Sequence, residues 1–158
     1  MANLKQELAR ANDLSRRASN AYADQLEADR RAQEIGETVA ELEEKAKRGP
    51  LHWEERAQLI DATKQRDQWQ KTAREHAQTR EQLKAEANKV FVAQGRTGTL
   101  ATEYGLTPEE AEEVFTVYLD GGSYTEAKRK AAELKAKAHG KEAAPSPYSF
   151  NVPGSVRW

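Results

Sequence analysis

From Leu4 to Ala46 the chain carries thirteen positions spaced alternately three and four residues apart: Leu4, Glu7, Ala11, Leu14, Ala18, Ala21, Gln25, Ala28, Ala32, Ile35, Val39, Leu42 and Ala46. Eleven of them are apolar. Alternating steps of three and four are the period of helices that wind on one another, and six heptads without a slip predict one long coiled-coil helix. At about 1.5 Å per residue it would run roughly 65 Å. Alanine supplies six of the apolar positions and buries little area, so an isolated two-stranded pairing of this stripe is weak. Leu8, Tyr22 and Leu26 lie beside the stripe and widen its apolar face.

Lys45, Lys47 and Arg48 put cations where a helix C-terminus favours them, and Gly49 followed by Pro50 ends the helix. A second pattern then runs from about Leu51 to Ala93, with stripe positions Leu59, Ala62, Arg66, Trp69, Ala73, His76, Arg80, Leu83, Ala87 and Val90. Two helices of nearly equal length joined by a few residues fold back as an antiparallel hairpin, each stripe covering the other. Trp53 and Trp69 are expected to supply much of its burial. Leu14, Ile35, Val39, Leu42, Leu59, Trp69, Leu83 and Val90 are the large stripe residues through which such hairpins would also associate. Gln25, Arg66, His76 and Arg80 interrupt the stripes and are candidates for fixing register or marking where another chain docks.

Composition supports thin helical contacts rather than a thick core. Ala, Glu, Arg, Lys and Leu make up 83 of the 158 residues, whereas Leu, Ile, Val and Phe together number 24, about 15% against the roughly 20% below which ordinary globular cores become unusual. The 25 cations and 26 anions nearly cancel and are interspersed, which favours ordered helix over a disordered polyelectrolyte and removes any strong overall field toward nucleic acid. Without cysteine there are no disulfides, thiolate metal sites or thiol nucleophiles. The longest apolar run, Val90 to Ala93, is far short of the about 20 residues of a membrane span, and the N-terminus has no signal-peptide core. These features predict a cytoplasmic or virion-associated protein.

Beyond residue 94 the pattern changes. Gly95, Gly98 and Gly105 among threonines read as a flexible hinge over 95–106. Thr107, Pro108, Glu109 and Glu110 form a capping box with proline at the first helical position, and Ala111, Val114, Phe115, Tyr118 and Leu119 form an apolar stripe. Asp120, Gly121 and Gly122 turn the chain, and Ser123 with Glu126 opens a helix that places Ala127, Ala131 and Leu134 on one face. This small helix-turn-helix unit spans 107–140. From 141 to 158, Pro145, Pro147 and Pro153 preclude helix, and Tyr148, Phe150 and Trp158 are anchors of the kind an extended docking peptide uses.

Residue types suited to catalysis are scattered. His52, His76 and His139 lack both the spacing that puts two ligands on one helical face and the Glu-x-x-His pairs of di-iron helices. Gly95 to Thr99 lacks the Gly-Lys-Ser/Thr ending of a phosphate cradle, and Asp120 to Gly122 lacks the alternating oxygen ligands of a calcium loop. No catalytic residue, metal site or cofactor is expected.

Charge instead points to a partner. Lys128, Arg129, Lys130, Lys135, Lys137 and Lys141 outnumber Glu126 and Glu133 along the last helix, while glutamates 109, 110, 112 and 113 crowd the helix before it. The competing account is internal: both distributions satisfy the helix macrodipole, and the acidic helix can neutralise the basic one. The fold expected is all-α, a long antiparallel hairpin over 1–94, the hinge, the two-helix unit and an extended tail. In that layout the chain resembles bacteriophage scaffolding and virion assembly proteins. The resemblance implies a non-enzymatic protein that associates with itself and contacts a coat, capsid or other virion component through Lys128, Arg129, Lys130, Lys135 and Lys137. The alternative is a nucleic-acid-associated adaptor or regulator that lays the 124–141 helix on phosphates.

Overall fold

The computed structural model describes residues 3–143, with side chains described through 137. Four helices follow in order: α1 (Leu4–Arg48), α2 (Trp53–Tyr104), α3 (Pro108–Leu119) and α4 (Tyr124–Ala143). All regular structure among the described residues is helical. Contacts gather into two compact units. One is Asn12–Ala87; the other joins the start of α1, up to Ala11, to the chain from Asn88 onward.

In the Asn12–Ala87 unit, α1 and α2 form the antiparallel hairpin that the stripes predict. The Arg80 guanidinium sits 4.4 Å from the Tyr22 ring centre and that of Arg31 5.0 Å from Trp69. Arg66 Cδ approaches Gly36, and Lys45 pairs with Glu55. In each of these cross-helix pairs the two residue numbers add to 100 or 102. That register sets Leu42 level with Leu59, Val39 with Ala62, Ala32 with Trp69, Ala28 with Ala73, Ala18 with Leu83, and Leu14 with Ala87. Large residues on one helix mostly face small ones on the other, which keeps the axes close over many turns.

Of the polar interruptions, Gln25 keeps its Oε1 buried without a hydrogen-bond partner, whereas the two arginines sit at the seam's edge. Arg66 and Arg80 are half-buried: their stems lie along the partner helix, while their heads reach Asp67 and Tyr22. Trp53 departs from expectation. It is 70% exposed, because it opens α2 on the flank of the hairpin rather than on its stripe. At the connection, Glu55 accepts from the His52 backbone N–H at 3.2 Å. With Lys45 as the larger influence, this holds its carboxyl below the usual glutamate range.

The second unit corrects the hinge. Residues 95–104 are the last turns of α2. Ala93, Thr97 and Leu100 are buried on one side, and Gly95 and Gly98 are exposed on the other with nothing within 4 Å of a Cβ there. Burial of that stripe outweighs the poor helix propensity of glycine and threonine. Only Gly105 acts as a stop: its φ of +63° is left-handed, and Leu106 N–H donates to Ala101 O at 2.9 Å, a Schellman closure.

The Thr107 capping box forms with both of its bonds. Gly121 (φ +88°) and the Gly122 N–H to Val117 O bond at 2.8 Å close α3 the same way. Ser123 accepts from Glu126 N–H at 3.2 Å to cap α4. Val90, Leu100, Val114, Phe115, Ala127 and Ala131 are fully buried in this unit.

Candidate partner-binding site

Among the described side chains, the cations of α4 do not form one patch. Ala127, Ala131 and Leu134 face inward, and the helical period then sends Tyr124, Lys128 and Lys135 to one flank, Lys130 and Lys137 to the other, and Arg129 outward. Lys130 pairs with Glu113 of α3 at 3.8 Å, so the acidic helix does neutralise part of the basic one. Lys135 has an internal role too. Its Nζ lies 3.2 Å from where a Cβ on Gly105 would stand, beside the C-terminus of α2, whose last turn has no basic residue of its own. It therefore supplies the positive charge that the end of this helix favours. Lys128, Arg129 and Lys137 are exposed.

Around Lys128 the structure assembles a cluster that the sequence did not bring together. Its Nζ is 5.8 Å from the Tyr124 ring centre. On α2, exposed Arg96 places its guanidinium 6.0 Å from the ring of Tyr118 on α3. Tyr118 is 8% exposed, and its hydroxyl is buried with no hydrogen-bond partner. Burial pushes that phenol above its ordinary range, Arg96 opposes the shift, and Tyr124 is close enough to add to it. Two cations and two tyrosines from three helices thus meet on one side of the unit.

Arg96 was hidden by the hinge reading. The clue available in the sequence was that Ala93, Thr97, Leu100 and Tyr104 continue the three-and-four spacing beyond Val90, displaced by one residue. Two successive steps of three at Ala87, Val90 and Ala93 break the phase there.

The other residues expected to act are distributed as follows. Leu14, Val39, Leu42 and Val90 are buried, and Ile35, Leu59, Trp69 and Leu83 are half-buried. Those from Leu14 to Leu83 lie on the stripes that face each other within the hairpin, and Val90 belongs to the second unit. Tyr148, Phe150 and Trp158 lie outside the described residues, as does the side chain of Lys141. No group of three His, Asp or Glu side chains able to hold a metal occurs among the described residues, and no helix there is long and apolar enough to cross a membrane.

The geometry suits recognition of an anionic, partly apolar segment: the exposed Tyr124 ring offers contact area while Arg96 and Lys128 draw carboxylates. Comparison with protein-family models, curated proteins and solved structures finds no match to this chain.

Proposed function

We propose that this chain is a non-enzymatic structural or assembly protein that associates with itself through its helical hairpin and holds another protein with its C-terminal third. The observation that carries the reading is the cluster in which exposed Arg96, Tyr124 and Lys128 gather around the buried ring of Tyr118. An acidic segment with an aromatic or aliphatic anchor fits that chemistry. The resemblance in layout to scaffolding proteins makes a virion component the specific form of the proposal.

Affinity purification from the native source tests it. A protein retained by the wild-type chain and lost by an Arg96→Glu, Lys128→Glu double variant with unchanged helicity supports the reading. Equal retention by both, together with a strict monomer across micromolar concentrations in sedimentation, overturns it. Co-purifying nucleic acid that is released steeply with salt would favour the adaptor alternative instead.

A further inference from the structure

Helical hairpins have two broad sides, and in the Asn12–Ala87 unit those sides differ. One step before each stripe position from Leu14 on, α1 presents Asp13, Arg17, Asn20, Asp24, Glu27, Arg31, Glu34, Thr38, Glu41 and Lys45, eight of them charged. Glu27 is bridged there by Arg30 and Arg31, and Glu34 by Arg30. One step after each stripe position from Leu14 on, α1 presents Ser15, Ser19, Tyr22, Leu26, Asp29, Gln33, Gly36, Ala40, Glu43 and Lys47, three of them charged.

This second side is shared with α2. Gln33, Gly36 and Ala40 line a shallow hollow together with Arg66 and Gln70, and Tyr22 carries the Arg80 guanidinium. Along the same flank of α2, spaced by three and seven, run Trp53, Ile60, Thr63 and Gln70. The same flank also carries Arg56, Asp67, Arg74, Glu81 and Lys84, three cations and two anions.

The exposed large apolar side chains of this unit are Tyr22 (42%), Leu26 (49%), Trp53 (70%) and Ile60 (58%), and all four lie on this side. Its buried large ones number three, Leu14, Val39 and Leu42, while Ile35, Leu59, Trp69 and Leu83 are half-buried. A unit that exposes more large apolar side chains than it buries, all in one direction, has a missing layer.

We infer that the layer is the same face of a second copy of this chain, forming a four-helix arrangement. The inference rests on the self-association proposed above and names the surface responsible for it. Charge argues for a copy over a different partner. The α1 share carries two anions and one cation (Asp29, Glu43, Lys47) and the α2 share three cations and two anions, so the face as a whole is neutral, can meet itself without net repulsion and offers no charge address to a strongly acidic or basic protein. Area argues the same way. From the level of Ser15 to that of Trp53 is about 50 Å at about 1.5 Å per residue, and two helices of about 10 Å diameter make a footprint near 1,000 Å². A stable interface needs about 800 Å² per partner.

Sedimentation equilibrium of the full chain is the test, on the wild type, a Leu26→Glu, Ile60→Glu variant, and a Gln65→Glu control on the opposite side. The expected result is a self-associating wild type and control, with association of the double variant weakened to a dissociation constant at least a hundredfold higher while its circular dichroism at 222 nm is unchanged. Self-association undiminished in the double variant overturns the inference and leaves the broader reading standing. A monomeric wild type overturns both.

Should the double variant lose helicity, single cysteines placed in the otherwise cysteine-free chain give a second measure. Gln33→Cys is expected to become protected from a bulky thiol reagent as concentration rises, and Gln65→Cys to stay reactive. Equal reactivity of the two at all concentrations in a self-associating protein overturns the inference.

Discussion

The two units solve the problem of burial differently. Seven of the ten buried apolar residues between Asn12 and Ala87 are alanines. From Asn88 onward, Val90, Leu100, Val114, Phe115 and Tyr118 are buried together against Ala93, Ala127 and Ala131. Alanine lets two helices approach closely over a great length, yet each contributes only about 0.8 kcal/mol for its single buried methyl, so stability there accumulates slowly along the hairpin. The second unit gathers several helices around a few large side chains and closes over them. The hairpin leaves Tyr22, Leu26, Trp53 and Ile60 exposed on one side, while the second unit closes over Val90, Leu100, Val114 and Phe115 and presents Arg96, Tyr124 and Lys128.

The sharpest way to break this comparison is to remove one large side chain from the second unit. Phe115 is fully buried, and Phe115→Ala is expected to cost that unit about 3–5 kcal/mol, read as loss of protection in hydrogen exchange across α3 and α4. A cost below about 1 kcal/mol would mean that the unit is no more tightly packed than the hairpin.

The converse substitution tests the hairpin. Ala28 is 1% exposed and stands level with Ala73, so Ala28→Leu adds three carbons where neither helix has room. Overpacking should destabilise by about 1–3 kcal/mol in urea denaturation. If it stabilised instead, the seam would be loose and the close approach argued from alanine would be wrong.

The stripes made the hairpin legible because period and residue type agreed: thirteen positions without a slip on α1 leave one packing direction, and the turn at Gly49 and Pro50 fixes the partner. Both cap sequences after residue 106 were legible for the same reason. What misled was local chemistry without its tertiary context. Gly95, Gly98 and the nearby threonines have turn propensities, and only the burial of Thr97 and Leu100 shows that packing overrides them. Trp53 read as core because of its size, yet its position on the flank follows from the register set thirteen residues later, at Arg66. The Arg96, Tyr118, Tyr124 and Lys128 cluster was not legible at all, since it depends on how three helices pack.

Smaller in effect, but direct, is a test of where α2 ends. Gly95 and Gly98 sit in helix, exposed, with nothing within 4 Å of an added Cβ. Gly95→Ala and Gly98→Ala should therefore each raise stability by about 0.5–1 kcal/mol, seen as a higher melting temperature. A working hinge would respond the other way, with unchanged or lower stability and impaired partner retention.

The smallest change concerns Tyr118, where the two roles of the second unit meet. Its hydroxyl is buried and unpartnered, so Tyr118→Phe removes a desolvated group without removing a bond, and stability near neutral pH should change by less than about 1 kcal/mol. The pH dependence separates the variant from the wild type. Because burial raises the folded-state phenol above its ordinary value of 10.0, the unfolded chain releases this proton first. Wild-type stability should fall as pH climbs through that value and level off once the folded phenol also ionises. Tyr118→Phe should lose that part of the alkaline slope in denaturant titrations between pH 9 and 11, while Tyr124→Phe, on an exposed residue, should retain it. Identical slopes for all three proteins would mean that the Tyr118 hydroxyl is hydrated, and the second unit would then be less closed on this side than its buried Val114 and Phe115 imply.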